Sequence, residues 1–255
     1  MDLNKLIKIS TLAGKIMLES GAETYRVEET ISRISIAYGA HTADSFVIPT
    51  GIIVTITYYD EVATLVKRIT SRGVDLNKID AINDLSRRIQ TEVIDLSDFN
   101  KDLIKIANDP RYSPLITLLC SSIAAGCFSI MFGGDLKDFF STLLIGATIK
   151  IVIMIFQKLN INEFFVNSFC GGLCAILAMI FLKLNLCSNL DKTIIGSIML
   201  LVPGLIITNA IRDTIAGDFL SGITKASEAF LIAVSIAVGT GAILSIFINK
   251  LNGVI

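Results

Sequence analysis

The chain has 255 residues, 53% hydrophobic and only 18% charged, with a mean hydropathy of +0.70, too apolar for a water-soluble surface of that size. It reads as a membrane protein. The near-neutral balance of 22 Lys+Arg against 23 Asp+Glu excludes a general nucleic-acid binder, and the composition excludes a disordered acidic tail, a collagen-like fibre and a disulfide-stapled secreted module.

Charge and glycine are unevenly spread. Residues 1–114 hold 14 of the Lys+Arg and 16 of the Asp+Glu, whereas residues 115–255 hold 13 of the 18 glycines and all five cysteines. This predicts two domains, a charged one over 1–114 and a membrane domain over 115–255, where glycine lets helices approach closely. Met1 to Lys15 alternates charged and apolar residues and lacks the continuous apolar core of a cleaved signal.

In chain order, Leu3, Leu6, Ile7, Ile9, Leu12 and Ile16 recur at helical steps and predict an amphipathic helix ending near Ser20-Gly21. A second helix, from about Glu23 to Tyr38, carries Val27, Ile31 and Ile34 on one face and a Glu29–Arg33 pair on another. Alternating stretches over Asp44–Ile48, Ile52–Tyr59 and Val62–Thr70 predict three strands, with Pro49-Thr50-Gly51 as a turn. Helical spacing returns at Leu76, Ile79, Ile82, Leu85 and Ile89, and again at Phe99, Leu103 and Ile106. The expected result is a small α/β domain.

Five apolar stretches then approach the ~20 residues needed to cross a hydrocarbon core: Leu115–Phe132, Phe139–Phe156, Phe165–Leu182, Thr193–Ile211 and Ala229–Ile248. The fold class expected is therefore an α-helical polytopic membrane protein of about five transmembrane helices with a small α/β N-terminal cytoplasmic domain. Lys101, Lys105 and Arg111, just ahead of the first span, place the N-terminus in the cytoplasm, and an odd number of spans places Ile255 outside. Small residues every fourth position, Ser121-Ala125-Ser129-Gly133 and Ala233-Ala237-Gly241-Ser245, predict helix–helix seams.

Known catalytic spacings are absent: no phosphate-binding loop, no His-Glu-x-x-His and no Gly-x-Ser-x-Gly. An enzyme is not expected, nor a metal or cofactor. His41, the single histidine, falls in a turn, and Cys170 and Cys174 lack the partners of a zinc site and read as packing residues. Lys150 stands inside the second span, where an ammonium needs a partner, a watery cavity or a route for its side chain to reach the interface. The fourth span is interrupted by Pro203-Gly204, where a broken helix exposes N–H groups that can receive a carboxylate, and the polar residues Thr208, Asn209, Arg212, Asp213 and Asp218 follow. Either a passage for a small polar solute or a packing kink followed by a charged loop fits this stretch.

Three segments resemble the threonine/serine exporter family, in particular its shorter two-component branch associated with succinate export. These are Leu18 to Glu29, Phe46 to Gly51, and Pro203-Gly204 through Thr208–Asp213 to Gly217-Asp218 and Ser221-Gly222. The resemblance implies secondary transport, namely export of a small carboxylate-bearing metabolite, threonine/serine or a dicarboxylate such as succinate. It also implies a second small membrane subunit supplying about five further helices, with self-association open. Lys225 stands where the family's pattern leads one to expect arginine, keeping the charge without the bidentate fork. Combined with the physics, the expected path is lined by Pro203, Gly204, Thr208 and Asn209; Arg212 or Lys150 neutralises the substrate carboxylate, and Asp213 or Asp218 carries a coupled proton. Glu23, Arg26 and Glu28 form either a docking or gating surface or a solvated helix face. The rival reading is a membrane-anchored sensor whose soluble domain binds a ligand.

Overall fold

The structure, a computed structural model, describes residues 2–109 and 112–252. Pro110 and Arg111, at the expected domain boundary, and Ile255, whose side of the membrane the span count addresses, lie outside the described residues. The chain divides into two compact units: one of Met1–Arg111 with Gly204–Ser227, the other of Tyr112–Pro203 with Glu228–Ile255.

The first unit begins with helices α1 (Leu3–Glu19) and α2 (Thr24–Ala37), followed by strands β1 (Thr42–Ile48), β2 (Gly51–Tyr58) and β3 (Glu61–Arg68) and helices α3 (Leu76–Arg88) and α4 (Leu96–Asn108). This is the order that the hydrophobic periods predict. The antiparallel sheet runs β1-β2-β3, with Val47 opposite Ile52 and Ile52 opposite Lys67. Because strand side chains alternate, Ile52, Val54 and Ile56 all face the core and are fully buried, while Ile53 on the other face is exposed. Helices α1 and α2 cover the buried face and bring Leu6, Met17, Val27, Ile31 and Ile34 to it. Asp2, Asp75 and Asp95 cap α1, α3 and α4 through their carboxylates. Glu29 and Arg33 form the pair expected on the exposed side of α2.

The second unit is helical: α5 (Pro114–Met131), α6 (Leu136–Lys158), α7 (Glu163–Lys183) and α8 (Leu190–Ile198). Helix α9 (Gly204–Ala216) belongs to the first unit, and α10 (Phe219–Asn252) begins in the first unit and continues into the second. Among the described residues four helices are long and apolar enough to cross a membrane: α5, α6, α7 and the part of α10 up to Ile248. The expected fourth span, Thr193–Ile211, is instead divided into α8 and α9, with residues 199–203 outside either helix. Proline explains the break, since Pro203 has no N–H to continue the α8 ladder and disfavours helix at the residue before it.

Of the two small-residue ridges, the first makes a contact seam at Ala125 and Ser129, whereas Gly133 lies past the end of α5 with open space around it. A Cβ on Gly146 of α6 would come within 2.7 Å of Ala125, and one on Gly196 of α8 within 2.8 Å of the Ser129 backbone. The second ridge differs from expectation: Ala233, Ala237 and Gly241 are exposed. Helix α10 meets α7 through Ile236, Gly239 and Thr240 instead, against Ser168, Gly171 and Gly172. Spacing defines a stripe but not the direction in which it faces.

Asp138, fully buried at the start of α6, joins two helices. Its carboxylate accepts from the backbone N–H of Asp135 at 3.1 Å, completing a capping box on its own helix. It also accepts from Ser188 N at 2.8 Å, Asn189 N at 2.9 Å and Asn189 Nδ2 at 2.9 Å. Asn189, the N-cap of α8, makes no side-chain cap of its own, and Asp138 instead holds the residues that lead into α8 against the start of α6.

Candidate functional site

The charged residues of the first unit converge where α2 begins. Gly21, between α1 and α2, has φ +90°, and an added Cβ would meet Gly73 O at 2.8 Å, so the turn requires glycine. Its carbonyl accepts a hydrogen bond from Asn209 Nδ2 at 2.8 Å. Helix α2 starts at Thr24, and its N-cap residue Glu23 makes no side-chain cap bond. The cap comes from α9 and the turn after it: Thr24 N donates to Asp213 Oδ1 at 3.1 Å, and Thr24 Oγ1 donates to Asp218 Oδ2 at 3.2 Å. A carboxylate there meets the positive end of the helix dipole as well as a free N–H.

Three ion pairs surround that cap. Lys225 Nζ lies 2.7 Å from Asp213 Oδ2, with side chains 5% and 0% exposed, and also donates to Ala22 O at 3.4 Å. Arg212 Nη1 lies 2.5 Å from Glu23 Oε1 and Arg26 Nη1 3.4 Å from Glu23 Oε2, so one buried carboxylate holds two guanidinium groups that reach the surface. Burial pushes the Glu23 carboxyl up, but its own backbone N–H and the two arginines outweigh that and hold it below the usual carboxylate value. Glu28, one turn along α2, accepts from Val47 N at 2.8 Å, and Ser221 Oγ of α10 donates to Val47 O at 3.3 Å. Gly222 lets α9 and α10 approach, since a Cβ there would collide with Thr214 Oγ1.

Of the residues singled out in the sequence, Asn209, Arg212, Asp213, Asp218, Glu23, Arg26 and Glu28 are thus brought into one network. Thr208 is exposed and its hydroxyl is taken up by Gly204 O of its own helix. Gly204 opens α9 and is exposed, whereas Pro203 is buried and belongs to the other unit, as does the half-buried Lys150 on α6. Sequence reasoning does not single out Thr24, and it marks Lys225 only as a departure from arginine. The best signal for either is local: a glycine and an acidic residue just ahead of a helix start, and a lysine twelve residues after an aspartate. Among the described residues no cluster of His, Cys, Asp and Glu could hold a metal ion. Chemically, the arrangement gathers an N–H, a hydroxyl, a buried ammonium and two guanidinium groups, all of them donors that carboxylates satisfy.

Residues 8–247 match the family model described as "Putative threonine/serine exporter". The chain belongs to this family. It is 21% identical over 235 residues to the Escherichia coli (strain K12) protein named "Probable succinate transporter subunit YjjP", covering 92% of this chain and 91% of that one. The Klebsiella aerogenes protein of the same name is 22% identical over 224 residues, covering 88% and 86%. No solved structure matches the chain. Membership of an exporter family, together with the four long apolar helices, makes this a membrane transport protein. Within the family match, the three segments that carry the resemblance contribute Glu23, Thr24, Arg26 and Glu28, then Val47, and then Asn209, Arg212, Asp213, Asp218 and Ser221, all members of the network described above.

Proposed function

We propose that the chain is the larger subunit of a two-component secondary exporter, carrying a small carboxylate-bearing metabolite, threonine/serine or a dicarboxylate such as succinate, out across the cytoplasmic membrane. Its N-terminal unit faces the cytoplasm, and a second small membrane subunit supplies about five further helices. The observation that carries this reading is the network at the start of α2, where carboxylates of the chain itself occupy donors suited to a substrate's carboxylate. Arg212, 55% exposed at its side chain, is the cation best placed to meet an incoming anion. Asn209 and the break at Pro203-Gly204 border its approach, and Asp213 or Asp218 exchanges a proton as the substrate passes. Thr208 and Lys150 serve the pathway from positions outside the network. The relatives' printed names support both the dicarboxylate and the need for another subunit.

The test is efflux from cells preloaded with labelled succinate, threonine or serine, comparing this chain alone with this chain plus a candidate five-span partner. Efflux of one substrate only with both chains supports the reading and names the substrate. Arg212→Ala and Asp213→Asn each abolish that efflux while the chain still inserts; normal flux in both sinks the site assignment. No efflux of any substrate, with both chains in the membrane, favours a membrane-anchored sensor.

A further inference from the structure

Four carboxylates of the network stand against three cations. Asp213 and Asp218 reach Thr24 from α9 and the turn that follows it, and Glu28 lies four residues after Thr24 on α2, hence on the same helix face. Lys225 of α10 is committed to Asp213 and the Ala22 carbonyl. Arg212 and Arg26 hold Glu23. What Glu28 receives is the neutral N–H of Val47 on β1. With Glu23, Glu28, Asp213 and Asp218 all ionised, the seated arrangement exceeds Lys225, Arg26 and Arg212 by one negative charge, in half-buried surroundings where like charges repel more strongly than in water.

We propose that Glu28 is a further proton-binding residue of this network, beside the aspartate that exchanges a proton as the substrate passes: its protonation seats the Gly204–Ser227 segment against α2, and its ionisation loosens that segment and uncovers Thr24 and Lys225 together. Burial first, and then the Asp218 and Asp213 carboxylates, push the Glu28 carboxyl above its usual value, with the Val47 N–H opposing them. Once the segment has moved away, the carboxyl returns toward its ordinary value. The seated state therefore binds the proton more tightly than the released state, and seating weakens as the pH rises through the raised value. Thr24 N–H, Thr24 Oγ1 and Lys225 Nζ are then released as a set. The device does not depend on what the protein carries, so it can fail while the exporter reading stands, and the reverse.

Hydrogen exchange on the full chain in lipid nanodiscs tests it, reading amide protection over residues 205–216, corrected for the intrinsic effect of pH. In the wild type, protection falls severalfold as the pH rises from the ordinary carboxylate value of 4.5 to neutrality, as linkage to one carboxyl held above that value requires. In Glu28→Gln it stays flat over that range, with the amides of α1 and β2 as the control for folding. Asp218→Asn removes one of the two repelling charges, so the wild-type midpoint moves to lower pH. A pH dependence unchanged in Glu28→Gln, a protection that rises with pH, or a midpoint unmoved in Asp218→Asn overturns the proposal.

Discussion

Replacing Lys225 by methionine keeps the length of the side chain and removes its charge, leaving the Asp213 carboxylate fully buried with the Thr24 N–H as its hydrogen-bond donor. Breaking a buried pair by removing one partner costs about 3–5 kcal/mol, because the remaining charge is uncompensated. The cost should appear locally, in the opening of α2's first turn, since Asp213 is what caps it. Measured by hydrogen exchange at residues 24–30 in the nanodisc-embedded chain, Lys225→Met speeds exchange by at least about a hundredfold, each 1.4 kcal/mol being roughly tenfold. Asp213→Asn alone behaves similarly, because it leaves the ammonium buried. The double variant Asp213→Asn/Lys225→Met recovers to within about 1–2 kcal/mol of wild type, as buried pairs are close to neutral against uncharged replacements. An effect below about tenfold in the single variants, or a double variant no better than either single, refutes the pairing as the element that holds this region together.

The Asp138 clasp predicts that Asp138→Ala, which orphans four donors at 2.8–3.1 Å, lowers the unfolding midpoint of the detergent-solubilised protein by the equivalent of about 3 kcal/mol or more. Two glycines of α10 form a matched pair: Gly239→Ala drives a Cβ into Ser168 O, whereas Gly241→Ala meets nothing within 4 Å. Thermal unfolding should show Gly239→Ala destabilised by about 1–3 kcal/mol and Gly241→Ala unaffected. For Glu23, held below the usual carboxylate value by its backbone N–H and two arginines, the pH sign is opposite to that of Glu28. Its contribution is present above the ordinary carboxylate value and disappears as the pH falls through the lowered one. Acid titration of α2 amide protection should show that loss in the wild type and not in Glu23→Gln.

Much of the fold was legible because burial leaves a period in the sequence. Leu6 to Ile16 repeats at three and four, Ile52 to Ile56 at two, and the structure makes them a helix and a half-buried strand. The break before α9 was legible from the chemistry of a single residue, Pro203. That residues 204–227 pack with the first hundred was not, since a contact such as Thr24 to Asp213 joins positions 189 apart and leaves no local pattern. The same reason divided the site: Glu23, Arg26 and Glu28 read as one surface and Asn209 to Asp218 as another, and the fold makes them one network. Thr24 gave no sign because a threonine in a first helical turn is ordinary until its partner is known. The ridge at Ala233, Ala237 and Gly241 misled because helical spacing fixes which residues align, not what lies opposite.

The separation between Thr24 and Asp213 also has a meaning in time. At ordinary rates of synthesis, about 5–20 residues per second, some 10–40 seconds pass between the appearance of α2 and that of the carboxylate that caps it. Throughout that interval the nascent chain inserts α5, α6 and α7 with the first turn of α2 open and Glu23 without Arg212. The charged unit is completed only after most of the apolar helices have been made, so a ribosome stalled before Gly204 should leave the amino-terminal region folded in its core but ragged at Gly21 to Glu28.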